Sequence, residues 1–421
     1  MAITDIREFA HLTDADIEAL AGEFDAIRRD VEDSRGVRDA RYIHNTIRLQ
    51  RGLEIAGRLV LFGSRRRSRW LLGTAALSLA KIIENMELGH NVMHGQWDWM
   101  NDPEIHSTSW EWDQTGPSAH WKRAHNYAHH TYTNIVGMDE DVGFGILRMT
   151  RDEKWRPINL LQPVANVILA ATFEWGIALH DLDAMKQLEP ESERGWNSVP
   201  SKDFALKAGR QLLKDVVIFP AATGVAWKST LSANLTANLV RNVWAYAVIF
   251  CGHFPDGAEK FTVAEFENET RGQWYLRQLL GSANISGGRV MDFLTGNLSY
   301  QIEHHLFPDL PSNRYPEIAA RVRALCGKYD LPYTTGPLAR QYFLALRTIH
   351  KLALPDSLLR ATSDDAPETS SERKFERLRA ASGAVGATRD ALTGRRRGLL
   401  TALRSHAEQT VAMRRRRAAA R

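Results

Sequence analysis

Seven of the fifteen histidines in this chain fall into three tight clusters: His90 and His94; His125, His129 and His130; His304 and His305. On a helix, His90 and His94 stand i,i+4, as do His125 and His129, so each pair can point at a common centre. His130 is rotated about 100° from His129, enough to reach a neighbouring second centre. In the third cluster Gln301 precedes His304 and His305 by three and four residues, so all three side chains can converge. His253 follows the apolar run Val248–Cys251 and precedes Phe254-Pro255-Asp256; it is an eighth nitrogen donor, or a satisfied lone histidine. Imidazole is the commonest neutral metal ligand, so converging imidazoles in this number point to metal, and to two ions.

The donor type narrows the chemistry. Two four-coordinate zinc ions fit the count, but hydrolytic dinuclear sites mix carboxylates with histidine around a bridging hydroxide. A nearly all-imidazole set on helices suits iron that activates dioxygen. Soluble di-iron enzymes instead use Glu-x-x-His pairs plus further glutamates in a bundle. Two such strings occur, Glu8-Phe-Ala-His11 and Glu87-Leu-Gly-His90, and the first sits in the polar amino-terminal region. That architecture is disfavoured. His106, His120 and His180 lie near the clusters but outside their spacing, as surface groups or groups that orient a ligand.

The elements that must carry these residues read as helices. Thr13 with Asp16 predicts a capping box that opens a helix. Apolar stretches fall at about 53–62, 70–83, 160–179, 216–227 and 235–250. A membrane span needs roughly 20 predominantly apolar residues; only 160–179 approaches that, and it contains Glu174. Hydropathy alone leaves buried core helices and membrane spans both open. If the chain spans a membrane, His130 and His304 must share one side, yet three apolar segments separate them. One segment must then enter without crossing. The basic loop from Lys186 to Arg210 is cytoplasmic by the positive-inside rule, which makes 160–179 that segment. Trp97, Trp99, Trp110, Trp112 and Trp121 are core or interfacial residues, or line an apolar channel.

The 421 residues allow one large or two small domains. The formal charge of +4 conceals a basic tail: Ala391–Arg421 holds nine arginines and one glutamate, leaving the rest at −4. Such a run is a solvated tail or a contact for an anionic membrane; no folded basic module accompanies it, so nucleic acid is not an expected partner. Two cysteines, Cys251 and Cys326, without a CxxC pair, fit a reducing compartment and exclude thiolate zinc. No signal peptide is expected from the polar, acidic start. The run Asp139, Glu140, Asp141 reads as a docking patch for a redox partner or a solvated loop.

The strings His90-Asn-Val-Met-His94, His125-Asn-Tyr-Ala-His-His130 and Gln301-Ile-Glu-His-His305, the last followed by Leu306-Phe307-Pro308, resemble the three boxes of the integral-membrane fatty acid desaturases. The longer strings from Glu84 to His94 and from Cys251 to Asp256 are similar to the actinobacterial branch, and the resemblance runs to about Pro367. It implies an all-α, integral-membrane helical fold with a cytosolic di-iron histidine cap and an acyl tunnel. Residues 1–50 would be an amphipathic cytosolic region, 51–356 the membrane domain, and 357–421 a polar linker with a basic tail. The location implied is the inner cell membrane, multi-pass, with the active site facing the cytoplasm. The implied reaction inserts a cis double bond at carbon 9 of a saturated long-chain acyl-CoA, using O2 and two electrons.

By position, His90, His94, His125, His129, His130, His304 and His305 match the family's iron ligands, and His253 matches its extra histidine. Asn91 stands where many members have aspartate, and Gln301 where many have the first histidine of the third box; both are expected to orient a ligand or water. Asn242, eleven residues before His253, is too distant for the asparagine–histidine pair of some acyl-CoA desaturases. No His-Pro-Gly-Gly haem motif occurs, so a separate NADPH-dependent reductase is the expected electron donor and membrane lipids the expected surroundings. A chain hydroxylase of the same superfamily and a soluble helical metal-binding protein are the alternatives.

Overall fold

In the computed structural model, residues 9–187, 195, 198–255, 258–266 and 268–359 are described. The capping box forms as expected: Thr13 Oγ1 accepts from the Asp16 N–H, and the Asp16 carboxylate accepts from the Thr13 N–H. It opens α1 (Asp14–Asp33), whose buried Ile17, Leu20, Phe24, Ile27 and Val31 recur at three- and four-residue spacing. That stripe packs on Tyr275, Leu276, Phe307 and Ile318, which belong to the carboxyl-terminal half.

Next come α2 (Val37–Leu61) and α3 (Arg67–Ile82), packed along each other. The contact depends on small residues, since a Cβ on Gly73 would lie 2.7 Å from Leu61 Cδ2. The chain continues through α4 (Gln162–Ala171), α5 (Phe173–Gln187), α6 (Val199–Leu212) and α7 (Trp227–His253), the last lying against α3. Of these, α4 and its leading turn meet α5 at 99°, with the break at Thr172. Among the described residues no single helix is long and apolar enough to cross a membrane by itself, and only this bent pair passes together. The outer faces are nevertheless apolar: Ile55, Leu59, Leu72, Val167, Ile168, Val217 and Leu235 are exposed.

The remaining helices, α8 (Arg271–Gly281), α9 (Gln301–Leu306), α10 (Tyr315–Lys328) and α11 (Leu338–Leu352), close the histidine end. To the mostly helical fold they add one small parallel sheet, β1 (Asn284–Ser286) beside β2 (Thr335–Pro337), in register Asn284 to Thr335. The polar linker and basic tail expected from 357 lie outside the described residues beyond Leu359.

Candidate metal centre

The first two boxes are not carried on plain α-helix. From α3 the chain widens into a π-helical segment, Ile83–His90, and tightens again over Asn91–Met93. Box two repeats the arrangement: a turn Ser118–Trp121, a π segment Lys122–His129, then His130–Tyr132. Backbone closure i→i+5 re-aims side chains, and such segments are frequent at functional sites. The third box is α9, and His253 ends α7.

All eight histidines converge. Ring nitrogens of His90, His94, His125 and His304 lie within 4.8 Å of one another, and so do those of His129, His253 and His305. As expected, His125 and His129 also come together, in a third group with Asp141 whose ligand atoms lie within the same 4.8 Å. Their rings are stacked 4.9 Å apart, so this pair sits where the two imidazole sets meet. His130 lies between the sets, stacked on His305 at 4.5 Å and edge-on to His94 at 4.7 Å.

The buried Nε2 atoms of His94, His125, His129, His130 and His304 have no hydrogen-bond partner. Leaving one such atom unsatisfied is costly, and five together at one centre fit a bound metal. Five of the converging rings are held through Nδ1, whereas both ring nitrogens of His130 are unpartnered. Nδ1 of His90 meets Asn91 Oδ1 at 3.1 Å, that of His129 meets Asp139 at 2.9 Å, and that of His125 meets Asp141 at 3.3 Å. His304 Nδ1 lies 3.2 Å from the Tyr315 hydroxyl and His305 Nδ1 3.1 Å from Gln278 Oε1. Gln301 Nε2 is 3.0 Å from His253 Nε2, an approach that requires Gly252, since a Cβ there would lie 2.8 Å from Gln301.

Burial, reinforced by the neighbouring imidazoles, holds His94, His130, His304 and His305 well below the usual histidine range, so these rings are neutral donors. His129 goes the other way. Burial opposes its charged form, but Asp139 and Asp141 outweigh burial and raise its pKa.

The acidic run is divided: Glu140 is exposed, while its two aspartates turn towards the histidines. Asp139 is buried, and Asp141 faces His125, His129 and His180. Sequence reasoning missed these carboxylates, together with Tyr315 and Gln278, and left His180 unassigned; a carboxylate ten residues after a box histidine was the only local signal. His106 stays at the surface beside Asp98, and His120 is buried away from both sets. Asn242 contacts the α4–α5 bend rather than His253. Glu87 bonds Tyr42, Asn297 and Ser312 and takes no part in either set.

An apolar-walled cavity reaches the histidines, with Phe144, Phe173, Ile177, Ala245 and Ile249 on its sides and His90, His125, His129 and His253 at its wall. Trp112 and Trp121 line it, while Trp97 is core.

Comparison with known proteins agrees with this geometry. Residues 68–337 match the family model described as fatty acid desaturase. The chain is 60% identical over 407 residues, 96% of its length and 94% of the relative's, to the NADPH-dependent stearoyl-CoA 9-desaturase of Mycobacterium tuberculosis. It is 24% identical to the sn-1 linoleoyl-lipid 6-desaturase of Synechocystis, over 63% of this chain and 76% of that one. A further linoleoyl-lipid 6-desaturase, from Arthrospira platensis, is 26% identical over 65% of this chain and 76% of its own. With the family model matched over more than half its length, the chain belongs to the fatty acid desaturase family.

Proposed function

We propose that this chain is a membrane-bound acyl-CoA desaturase that places a cis double bond at carbon 9 of a saturated chain such as stearoyl-CoA. It consumes O2 and two electrons supplied by a separate NADPH-dependent reductase. One observation carries the reading: two sets of buried imidazoles with open nitrogens stand at the wall of an apolar cavity. The 60% identity with a stearoyl-CoA 9-desaturase supports the substrate and position.

In this reading His90, His94, His125 and His304 hold one iron, and His129, His253 and His305 the other, with His130 between them and Asn91 and Gln301 orienting their neighbours. When bound, the two irons supply, with O2 and electrons, the oxidising power to remove hydrogen from two adjacent unactivated methylenes. The chain's own residues do the rest. Phe173, Ile177 and Ile249 wall the cavity, take up the alkyl chain and keep water away. Asp139 and Asp141 fix the faces that His129 and His125 present.

The exposed apolar belt supports placement in a bilayer. Packed together, α2, α3, the helical stretch Leu213–Ile218 and Phe219–Ala222 that continues α6, and α7 are proposed to cross, while the sharply bent α4–α5 pair enters and returns, which leaves all three boxes on the cytoplasmic side. Membranes containing the chain, given stearoyl-CoA, NADPH and a reductase, should yield the 9-unsaturated product by mass analysis of double-bond position. A hydroxylated product would favour the hydroxylase alternative. Folded, iron-free protein recovered without detergent would overturn both. His304→Ala should lose iron and unsaturated product together.

A further inference from the structure

The cavity that reaches the histidines runs along α7, since both His253 and Asn242 line it. Eleven residues of helix separate them, about 16 Å, enough to hold the half of an extended stearoyl chain beyond its middle carbons. At the far end stand two polar side chains, Glu174 and Asn242. The same two residues line a second cavity on their other side, whose further walls include Thr172, Leu212, Leu235 and Leu239. Those leucines are exposed on the outer apolar face. Two side chains therefore separate the inner cavity from a lateral groove.

These side chains are fixed from behind. The buried Arg241 guanidinium donates to Glu174 Oε2, and its Nε donates to Asn242 Oδ1 at 3.0 Å. Asn242 Nδ2 donates to the Ala171 carbonyl at 2.9 Å, and Asn242 Oδ1 accepts from the Glu174 N–H at 3.4 Å. Asn242 thus satisfies backbone groups that the 99° bend between α4 and α5 leaves free. Glu174 Oε1 is buried without a hydrogen-bond partner. An alkyl terminus arriving here meets a carboxylate and an amide already committed to a buried ion pair. To pass, it would have to break that pair and strand a charge.

Resting on the proposed acyl-CoA desaturation, we infer that Glu174 and Asn242, held by Arg241, form a polar end wall that sets the longest acyl chain this protein accepts. The residues act at the methyl end of the substrate, so they limit length without moving the site of oxidation.

The test compares chain-length profiles in membranes supplied with a reductase, NADPH and competing myristoyl-, palmitoyl-, stearoyl- and arachidoyl-CoA. Glu174→Ala combined with Arg241→Leu removes both charges at once, so neither is left unpaired, and joins the two cavities. It should raise the arachidoyl-to-stearoyl ratio of kcat/KM roughly tenfold, the scale on which a hydrophobic site discriminates by size. Ala245→Leu adds bulk one turn nearer His253 on the same wall. It should move preference towards palmitoyl- and myristoyl-CoA by a similar factor. Every product should keep its double bond at the same carbon counted from the thioester. Unchanged ratios in both variants, beside an active parent, overturn the inference; so does a shifted double bond in the double variant. Should the double variant fail to accumulate with iron, the Ala245→Leu ratio decides alone. A parent that forms no unsaturated product fails the proposed function itself, and the end wall with it.

Discussion

Five of the converging imidazoles are held through Nδ1, by acceptors of unequal charge. His90 and His305 rest against amide oxygens and His304 against a phenol, whereas His125 and His129 face carboxylates. A carboxylate makes the ring it holds a more basic donor and fixes its rotation. Asp139→Asn should therefore weaken metal retention by about 10–100-fold, read as iron stoichiometry after a timed chelator challenge; retention equal to the parent's would refute the role. Asn91→Asp should not strengthen the set containing His90, because Asn91 Nδ2 donates to the Glu87 and Gly296 carbonyls and a carboxylate oxygen there would repel both. The ligands themselves were legible in the sequence because residue type and short spacing carry them. Their supports were not: Gln278 and Tyr315 reach His305 and His304 from other elements, and no periodicity marks such partners. The acidic run shows the same limit. Asp139 and Asp141 look like surface charge until the fold turns them inward.

At the scale of the element, a single close crossing holds the first π segment in place. Gly296 adopts φ +68°, and a Cβ there would collide with the Met86 carbonyl inside that segment. The Gly296 carbonyl accepts from Asn91 Nδ2 at 3.1 Å. Gly296→Ala should destabilise the protein by more than about 1 kcal/mol, since the left-handed conformation alone disfavours a side chain. It should also loosen His90. Thermal unfolding in detergent and iron content measure the two effects, and an unchanged melting temperature would count against the crossing. The capped α1 and the stretches that became α3 and α7 were readable as helices from caps and apolar composition. The π segments were not, because an inserted residue leaves the hydrophobic pattern almost unchanged. Nor was the bend at Thr172, where no proline or glycine announces a break.

For the whole molecule, ion pairs fasten the amino-terminal helices to the box-bearing end. Arg28 grips Asp309 through both terminal nitrogens at 2.8 and 2.7 Å, and Arg314 binds buried Asp39 at 2.6 Å and 2.7 Å. Partial burial opposes it, but the hydrogen bonds and charge of Arg28 hold the Asp309 carboxyl below its ordinary value. A depressed folded-state pKa gives stability that is complete above the unfolded value, about 4, and is lost as pH falls through the folded one. Asp309→Asn should therefore flatten the acid limb of a pH–stability curve in detergent below about pH 4. A variant whose acid limb matches the parent's would show that other carboxylates dominate. The topological constraint was legible without any structure, because three boxes of one centre cannot stand on two sides of a membrane. Charge composition already points to 160–179 as the segment that yields, but the 99° angle of its bend is not legible there.

The π segments Ile83–His90 and Lys122–His129 also make the centre sensitive to chain length in a way that side-chain chemistry is not. Each wide turn accommodates one residue more than an α turn would. Deleting a single residue from either segment lets the turn close to ordinary pitch while the helix beyond it keeps its phase, so the histidines inside the turn lose the spacing that brings them to the centre. Length is therefore closed to change in both stretches, and in Ile83–His90, where every residue is buried, substitution is constrained as well.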